Sequence, residues 1–439
     1  MHPRNIYAAS PDFVALARSY PPLRPYVFLT HTGPSIDFKN PIAQRRLTEA
    51  LLRIDFDISL SLPENRLCPP VIYTAHPYQR LNYVLWIQDI IRETAPDVAV
   101  VRGIDIGTGA STVYPLLACR LEPTWQFVAT DVDKDSLTSA RENDRVIITE
   151  TSPSKPLLFP LEKDTTVNAR YEFTMCNPPF YSSTEEMAQS AETKEFGPNA
   201  VCTGAEVEMI TPGGEVAFVS RIIMESLRHK ARCRWYTSML GKMISLHEIV
   251  SLLRNNLVDN YAITEFVQGQ TRRWAIAWSF GTRRLPDVHA RISSPALQGI
   301  MPLRTTLYQP LPNITSTALL SGILSQVLAD VDGVSVTLDN SSSGDHIYLV
   351  RVSANTWSRS ARRKKTTAPL QTDMPLQSAP VMQCRIQCRH GLSPTVTDNH
   401  KLQGAYLDYQ WIDGKERSIF ESFVSHVNRK AASSRLTNR

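Results

Sequence analysis

Between residues 76 and about 285, short β-rich runs alternate with segments of helical period, and this alternation restricts the fold more than any other feature of the chain. A helix between two strands carries the chain back to its starting edge, so such strands pair in parallel and the helices cover the sheet. Val98 to Ile106 is an apolar strand candidate that ends in Gly107, Thr108 and Gly109. Trp125 to Thr130 is a second, ending in Asp131; Val146 to Thr149 is a third; Phe173 to Cys176 is a fourth, ending in Asn177-Pro178-Pro179-Phe180. Helices are expected at 110–120, 134–143 and 216–229. Tyr261 to Val267 and Arg273 to Phe280 read as an antiparallel hairpin about Gly269 that closes the sheet.

The flanks differ from this core. Residues 1 to about 75 are polar and punctuated by proline, with one clear helix that Asn40 caps and Pro41 opens. They form an extension laid on the core domain, which is taken as 76–285. Residues 286–303 carry three prolines and little periodicity and read as a linker. From 304 to 430 come short strands at 304–309, 334–339 and 346–352, a helix at 314–330, an alternating run through Met382, Cys384, Ile386 and Cys388, and a last helical stripe. The stretch 358–380, opened by the basic run Arg359 to Lys365, has no apolar period and is expected to be a disordered loop. Neither side of it can bury a core alone, so 304–430 reads as one split α+β module.

Composition excludes some classes. At 439 residues with seven cysteines, an odd number widely spaced, the chain is no disulfide-stapled scaffold, and reduced intracellular thiols are expected. No run approaches the roughly 18 to 20 apolar residues that cross a bilayer. Lys plus Arg number 47 against 42 Asp plus Glu, and that excess of 5 permits a polyanionic partner without requiring one.

Two constellations carry chemistry. Asp105-Ile-Gly107-Thr-Gly109-Ala-Ser111 stands where a strand gives way to a helix, and its glycines let a ligand approach the backbone. Such turns also occur without a ligand. Asp131, 24 residues past Gly107, lies near the spacing of a carboxylate that binds a ribose diol. Asp133 could share that role or simply cap a helix. Without the third glycine of a pyrophosphate-binding fingerprint, the turn favours S-adenosylmethionine over a dinucleotide. The second constellation is Asn177-Pro178-Pro179-Phe180. An aromatic amino group is a poor nucleophile because its lone pair is delocalised into the ring. Two acceptors, the Asn177 side-chain oxygen and the Pro178 carbonyl, would favour pyramidal nitrogen and offset the positive charge that grows on it. Phe180, or Tyr181 beside it, offers a face on which a flipped base stacks. The bland alternative is a rigid turn after a strand, with Phe180 in the core. Cys176 reads as a small buried apolar residue.

With these residues in view, the sequence resembles the methyltransferase-like protein 16 family. The resemblance rests on Asp37 to Pro41, Leu51 to Leu62, Arg80-Leu-Asn-Tyr83 with Trp86, Asp105 to Ser111, Cys176 to Tyr181, Arg234 to Lys242 and Thr264 to Phe280, and covers roughly residues 1 to 285 in order. It implies an α/β chain with a Rossmann-like S-adenosylmethionine-dependent methyltransferase domain, acting on the 6-amino group of adenine in U6 small nuclear RNA. It also implies cofactor contacts at Arg80, Gly107, Ser111, Asp131 and Asn177, to which the turn itself adds Asp105 and Gly109. The family's catalytic tetrad falls on Asn177, Pro178, Pro179 and Phe180. Asp131 stands where the family often has Glu, which shortens its reach to a ribose. The loop from Glu150 to Leu158 should border the cofactor adenine, with Lys155 and Leu157 as candidates.

RNA implies cationic surfaces. Arg4, Arg18, Arg24, Lys39, Arg45 and Arg46 on the extension, Arg232 and Arg234, and Arg272 and Arg273 at the hairpin are the candidates for phosphate contact, with Phe180 and Tyr181 for the base. The run Arg359 to Lys365 fits a nuclear localisation signal, an RNA contact or a solvated tail. Cys384, Cys388, His390 and His400 lack the spacing of a zinc site, and no metal is expected. The expected partner is structured RNA, with no membrane. The expected location is the nucleus, with the cytoplasm as a second one. The alternatives are a bacterial-type 23S ribosomal RNA adenine-N(6) methyltransferase, a methylase of protein glutamine, and a catalytically silent RNA-binding scaffold.

Overall fold

The computed structural model describes residues 2–8, 11–60, 62, 79–133, 146–164, 170–192, 206–268, 271–314, 316–339, 346–358, 361, 380–392 and 403–434. The chain divides into two units, Met1–Gly281 with His289–Pro302, and Thr282–Val288 with Leu303–Arg439.

The first unit opens with helix α1 (Phe13–Ser19), the hairpin of β1 (Val27–Thr30) and β2 (Gly33–Ile36), and helix α2 (Pro41–Phe56). Asn40 caps α2 as expected: its side-chain oxygen accepts from Ile42 N–H (2.9 Å) and Ala43 N–H (3.2 Å), and Pro41 takes the first helical position. Helix α3 (Gln79–Thr94) then leads into a seven-stranded sheet. Its members are β3 (Val101–Ile106), β4 (Trp125–Asp131), β5 (Val146–Glu150), β6 (Tyr171–Cys176), β7 (Cys233–Leu240), β8 (Tyr261–Gln268) and β9 (Thr271–Trp278), in the order β5-β4-β3-β6-β7-β9-β8. The first five are parallel, and β9 and β8 close the sheet antiparallel, as the hairpin reading required. The hairpin turn at Gly269 and the expected helix at 134–143 lie outside the described residues.

β3 pairs with β4 on one side and β6 on the other. The strand order therefore reverses at β3, and the crevice beyond the carboxyl ends of β3 and β6 is where open α/β sheets bind ligands. Gly103, in the middle of β3, stands opposite Phe127 and Phe173 at once. The two rings, 5.5 Å apart, close over it, and a Cβ there would lie 2.5 Å from Phe173 Cζ.

Three differences from the sequence reading have local causes. β3 starts at Val101 rather than Val98, because residues 95–98 close a turn through Val98 N–H to the Ala95 carbonyl. Helix α4 (Val113–Leu121) starts three residues late, because Thr112 holds a left-handed conformation (φ 44°). Residues 286–303 are not a loose linker: they form the short helices Asp287–Ala290 and Pro295–Ile300, and Leu297, Ile300 and Met301 are buried in the core of the first unit.

The second unit is a five-stranded antiparallel sheet of β10 (Thr306–Leu311), β11 (Val334–Asp339), β12 (His346–Val352), β13 (Met382–Leu392) and β14 (Gln403–Gly414), in the order β10-β14-β13-β12-β11. Helices Thr317–Ala329 and Arg417–Ser433 share a core with one sheet face, which includes Met382, Cys384, Ile386 and Cys388, all fully buried. Trp411 stacks on Phe420 at 5.9 Å, and Trp357 meets Phe423 edge-on at 5.1 Å. Most of the basic run Arg359 to Lys365, and of the stretch 358–380, lies outside the described residues. The strands before and after that stretch interleave: β13 pairs with β12, and β14 pairs with β10. Among the described residues no helix is long and apolar enough to cross a membrane.

Two measurements check this packing. Gly103→Ala should lower stability by about 1–3 kcal/mol through overpacking, read as a drop in the urea midpoint; an unchanged midpoint would mean that both rings can yield. A protease site inserted between residues 362 and 379 and then cut should leave the two fragments in one peak on a sizing column, since neither owns a complete sheet. Separation into two folded pieces would disprove the interleaving.

Candidate active site

Three turns meet at the strand-order reversal. After β3, the N–H groups of Gly107 and Thr108 both donate to the Thr130 carbonyl (2.9 and 3.0 Å), which keeps the turn on the end of β4. Gly107 and Gly109 take φ values of +68° and +64°, a region costly for a side chain. A Cβ on Gly107 would meet nothing within 4 Å, so this backbone faces open space. Asp131, at the end of β4, braces the turn: Oδ2 accepts from Gly109 N–H (2.7 Å) and Oδ1 from Asp133 N–H (2.9 Å). Burial raises its pKa, and these backbone donors oppose the shift. A carboxylate accepts about four hydrogen bonds, so lone-pair capacity remains for a ligand hydroxyl.

The space these turns enclose is a cavity of about 590 Å³, within the range of small-molecule sites. Of the residues singled out in the sequence, Arg80, Gly107, Gly109, Ser111, Asp131, Asn177, Pro178 and Pro179 line it. Arg80, on α3, is itself buried, with its guanidinium carbon 5.1 Å from the Tyr114 ring centroid. Asp105 is not on the wall. It is 1 % exposed, and burial pushes its pKa up to about 7. Thr108 and Arg80 act against that shift, and Asp131 adds to it. The hydroxyl of Thr151, also on a wall residue, is buried and has no hydrogen-bond partner among the described residues. Leu157 lines the cavity and Lys155 does not; the Lys155 ammonium lies 6.0 Å from the Phe159 ring centroid.

Phe180 and Tyr181 continue from Asn177 but do not line the cavity. Phe180 lies against Gly241, where a Cβ would come within 2.7 Å of its Cδ1. The Arg273 guanidinium carbon is 5.3 Å from the Phe180 ring centroid, and the Lys242 ammonium is 5.6 Å from that of Tyr181. Tyr181 is fixed by backbone bonds with Met209 and Thr211 (3.0 and 2.9 Å). Burial lowers the pKa of Arg273.

The other cations separate. Arg272 is 60 % exposed and pairs with Glu265 at 3.1 Å; Arg46 is 37 % exposed and pairs with Glu49 at 2.8 Å. Arg45 corrects the surface reading: it is 4 % exposed, because α2 is covered on more than one face and buries Gln44, Thr48 and Glu49 along with its apolar stripe.

The sequence reading missed one wall altogether. Glu208, Ile210, Thr211, Pro212, Phe218 and Arg221 line the cavity from the segment before and within helix Gly214–His229. The Gly213-Gly214 pair, at φ +74° and +63°, was the only signal of a tight turn there. Arg221 donates to the carbonyls of Pro153 (3.3 Å) and Lys155 and to Glu225 (3.0 Å), whose other oxygen accepts from Leu158 N–H (2.8 Å). Helix and loop thus hold each other along the cavity edge.

Comparison with known proteins agrees with this geometry. The family model Methyltransf_10, described as RNA methyltransferase, matches residues 1–282. The chain is 34 % identical over 401 residues to RNA N(6)-adenosine-methyltransferase mettl16 of Danio rerio, covering 87 % of this chain and 82 % of that protein. It is 34 % identical over 403 residues to the U6 small nuclear RNA (adenine-(43)-N(6))-methyltransferase of Schizosaccharomyces pombe, covering 90 % of this chain and 94 % of that one. It spans about half the length of the frog, mouse and human relatives, 50 to 52 %. Among solved structures, the human METTL16 catalytic domain with the MAT2A 3′UTR hairpin 6 matches with a TM-score of 0.56 at 41 % identity, over 64 % of this chain and 97 % of that one. The N-terminal domain of human METTL16 with SAH matches with a TM-score of 0.51 at 39 % identity, over 64 % of this chain and 98 % of that one. With the family model covering well over half of its length and the switch-point cavity at its centre, the chain belongs to the METTL16 family of RNA methyltransferases.

Proposed function

We propose that this chain transfers a methyl group from S-adenosylmethionine to the 6-amino group of an adenosine in structured RNA, and that U6 small nuclear RNA is its substrate. The observation that carries this reading is the Asn177-Pro178 pair on the wall of the switch-point cavity. It is supported by the relatives named as adenosine methyltransferases, one matched over 94 % of its length. A U6 substrate implies a nuclear role.

The chemistry of the walls fits the cofactor. S-adenosylmethionine supplies an electrophilic methyl on a sulfonium sulfur and carries an ammonium and a carboxylate. Arg80 offers a cation for the carboxylate, Asp105 a buried carboxylate close behind the wall for positive charge, and Asp131 its remaining lone pairs for ribose hydroxyls. Ser111, Gly107 and Gly109 present hydroxyl and backbone at the start of α4. In the transfer, Asn177 Oδ1 and the Pro178 carbonyl accept from the adenine amino group and stabilise charge that appears only in the transition state. Pro178 and Pro179 hold that carbonyl in place. The methylated nitrogen loses its proton readily, so no separate base is required. Phe180, backed by Gly241 and lying against Arg273, gives a rigid ring for the flipped base, while Arg272 and Arg46 hold phosphates. The extension 1–75 and the second unit add RNA affinity.

Incubating the protein with labelled S-adenosylmethionine and total RNA, then mapping the label, tests the function. The expected product is N6-methyladenosine in U6 RNA; RNA binding without label would favour the silent scaffold, and label on protein glutamine would overturn the reading. Asn177→Ala should cut turnover by more than about tenfold while RNA affinity holds; a smaller loss, under about 1.4 kcal/mol, would remove the polarising role.

Asp105 generates a pH prediction. Its carboxyl titrates near 7 when folded and near 3.8 when unfolded. Between these values the folded state holds a proton that the unfolded state lacks, so stability without cofactor falls as pH rises from about 4 to 7 and then levels. The loss is at most about 4 kcal/mol. Asp105→Asn should flatten the change in urea midpoint between pH 5 and pH 8 and weaken cofactor binding measured by calorimetry. An unaltered pH profile in the variant would show that Asp105 does not titrate in this range.

A further inference from the structure

The parallel ladder between β6 and β7 pairs Tyr171 with Cys233 and Phe173 with Trp235, so its next pair would be Met175 with Thr237. In that arrangement Thr237 would use its own backbone to reach the Thr174 carbonyl and the Cys176 N–H. The pair is absent from the ladder, and hydroxyl groups stand in for it. Thr237 N–H donates to Thr174 Oγ1 at 3.1 Å, and the Thr237 hydroxyl donates to the Thr174 carbonyl at 2.7 Å. Cys176 N–H donates to the Tyr83 hydroxyl at 3.3 Å, and that hydroxyl lies 2.5 Å from Thr237 Oγ1. Since the one hydroxyl proton of Thr237 goes to Thr174, Tyr83 is the donor to Thr237. The chain then runs one way, from Cys176 N–H through Tyr83 and Thr237 to the Thr174 carbonyl, with the two hydroxyls each donating and accepting once.

Tyr83, Thr174 and Thr237 are fully buried. In such a place an unpaired backbone group costs about as much as a lost hydrogen bond, so strands normally separate only where water can replace the ladder. Here two side chains fill the gap. β7 can part from β6 at the point where the chain leaves the sheet, and the first residue beyond Cys176 is Asn177. On the β7 side, the first residue beyond Leu240 is Gly241, which lies against Phe180. The separation of the two strand ends therefore sets both where Asn177 emerges and where Phe180 rests. The ring of Tyr83 is held in turn by an edge-to-face contact with Tyr114 at 5.6 Å, the same ring that lies under the Arg80 guanidinium.

We propose that Tyr83 and Thr237 are positioning residues that fix the Asn177-to-Phe180 turn for methyl transfer, an inference that rests on the functional reading above. They touch neither the cavity nor the reacting atoms; they act through the Cys176 amide.

Full-length Tyr83→Phe, Thr237→Val and Thr237→Ser, assayed beside wild type for kcat and KM on U6 RNA, for cofactor Kd and for melting temperature, test it. Tyr83→Phe and Thr237→Val should lose at least about tenfold in kcat with KM and cofactor Kd within about threefold, the signature of an effect confined to the transition state. Thr237→Ser, which keeps the hydroxyl, should return kcat to within about threefold of wild type. Folded variants with unchanged kcat, or a Thr237→Ser no better than Thr237→Val, would overturn the proposal. If Tyr83→Phe does not fold, the two Thr237 variants decide; if neither Tyr83→Phe nor Thr237→Val folds, the chain is purely structural and the proposal fails. A wild type that methylates no adenosine refutes the functional reading and this inference with it, whereas an active wild type beside unaffected variants refutes the positioning alone.

Discussion

The pairing of β3 with β6 places Ile106 opposite Cys176, so the next residues in each strand, Gly107 and Asn177, leave the sheet side by side. Adjacent strands lie about 4.8 Å apart, and that spacing fixes the turn read as cofactor-binding against the turn read as catalytic before any side chain is considered. Much else in the first unit serves this register. Gly103 lets β3 lie between Phe127 and Phe173, Asp131 ties the glycine turn to the end of β4, and Tyr83 holds the last amide of β6. A slip of one residue in β6 would turn its side chains to the opposite face and carry Asn177 away from the cavity.

Several buried polar groups gather around the cavity. Asp105 is buried beside the Thr108 hydroxyl, and the Thr151 hydroxyl is buried with no hydrogen-bond partner among the described residues. Buried groups of this kind weigh against stability unless something pairs with them, and their gathering around one space is itself an argument for a polar, charged ligand. One strand of the second unit is different. There the inward positions of β13 are Met382, Cys384, Ile386 and Cys388, burial pushes both thiols up, and the core is apolar throughout this strand.

Much of this was legible in the sequence because it is encoded locally. Strand runs that end in glycine or in Asn-Pro-Pro announce both their length and the turn that follows, and Asn40-Pro41 announces a helix start. What escaped was encoded at a distance. β7 carries Arg234, Thr237 and Ser238, which blur an apolar run, yet two of them are answered by partners far away in sequence: Arg234 by the Thr94 carbonyl at 3.0 Å, Thr237 by Thr174. The wall from Glu208 to Arg221 follows a polar stretch with no period, and only tertiary contact brings it to the glycine turn. Residues 286–303 read as linker because proline and short length hide three apolar residues that reach the core.

The arginines show why counting charge says less than placing it. The net excess of 5 is shared by groups in very different surroundings. Arg45 is enclosed by α2 and its neighbours, Arg273 is desolvated against Phe180, and Arg80 lines the cavity, while Arg46 and Arg272 keep a solvated side. A desolvated guanidinium over an aromatic ring gains from the quadrupole of that ring and holds it in one orientation; an exposed one contributes mainly long-range attraction that salt screens. Arg273 therefore belongs to the geometry at Phe180, whereas Arg272 belongs to the diffuse field that draws a polyanion in. Neighbouring residues of the same type on one strand thus divide orientation from attraction, and that division is set by which side of β9 each occupies.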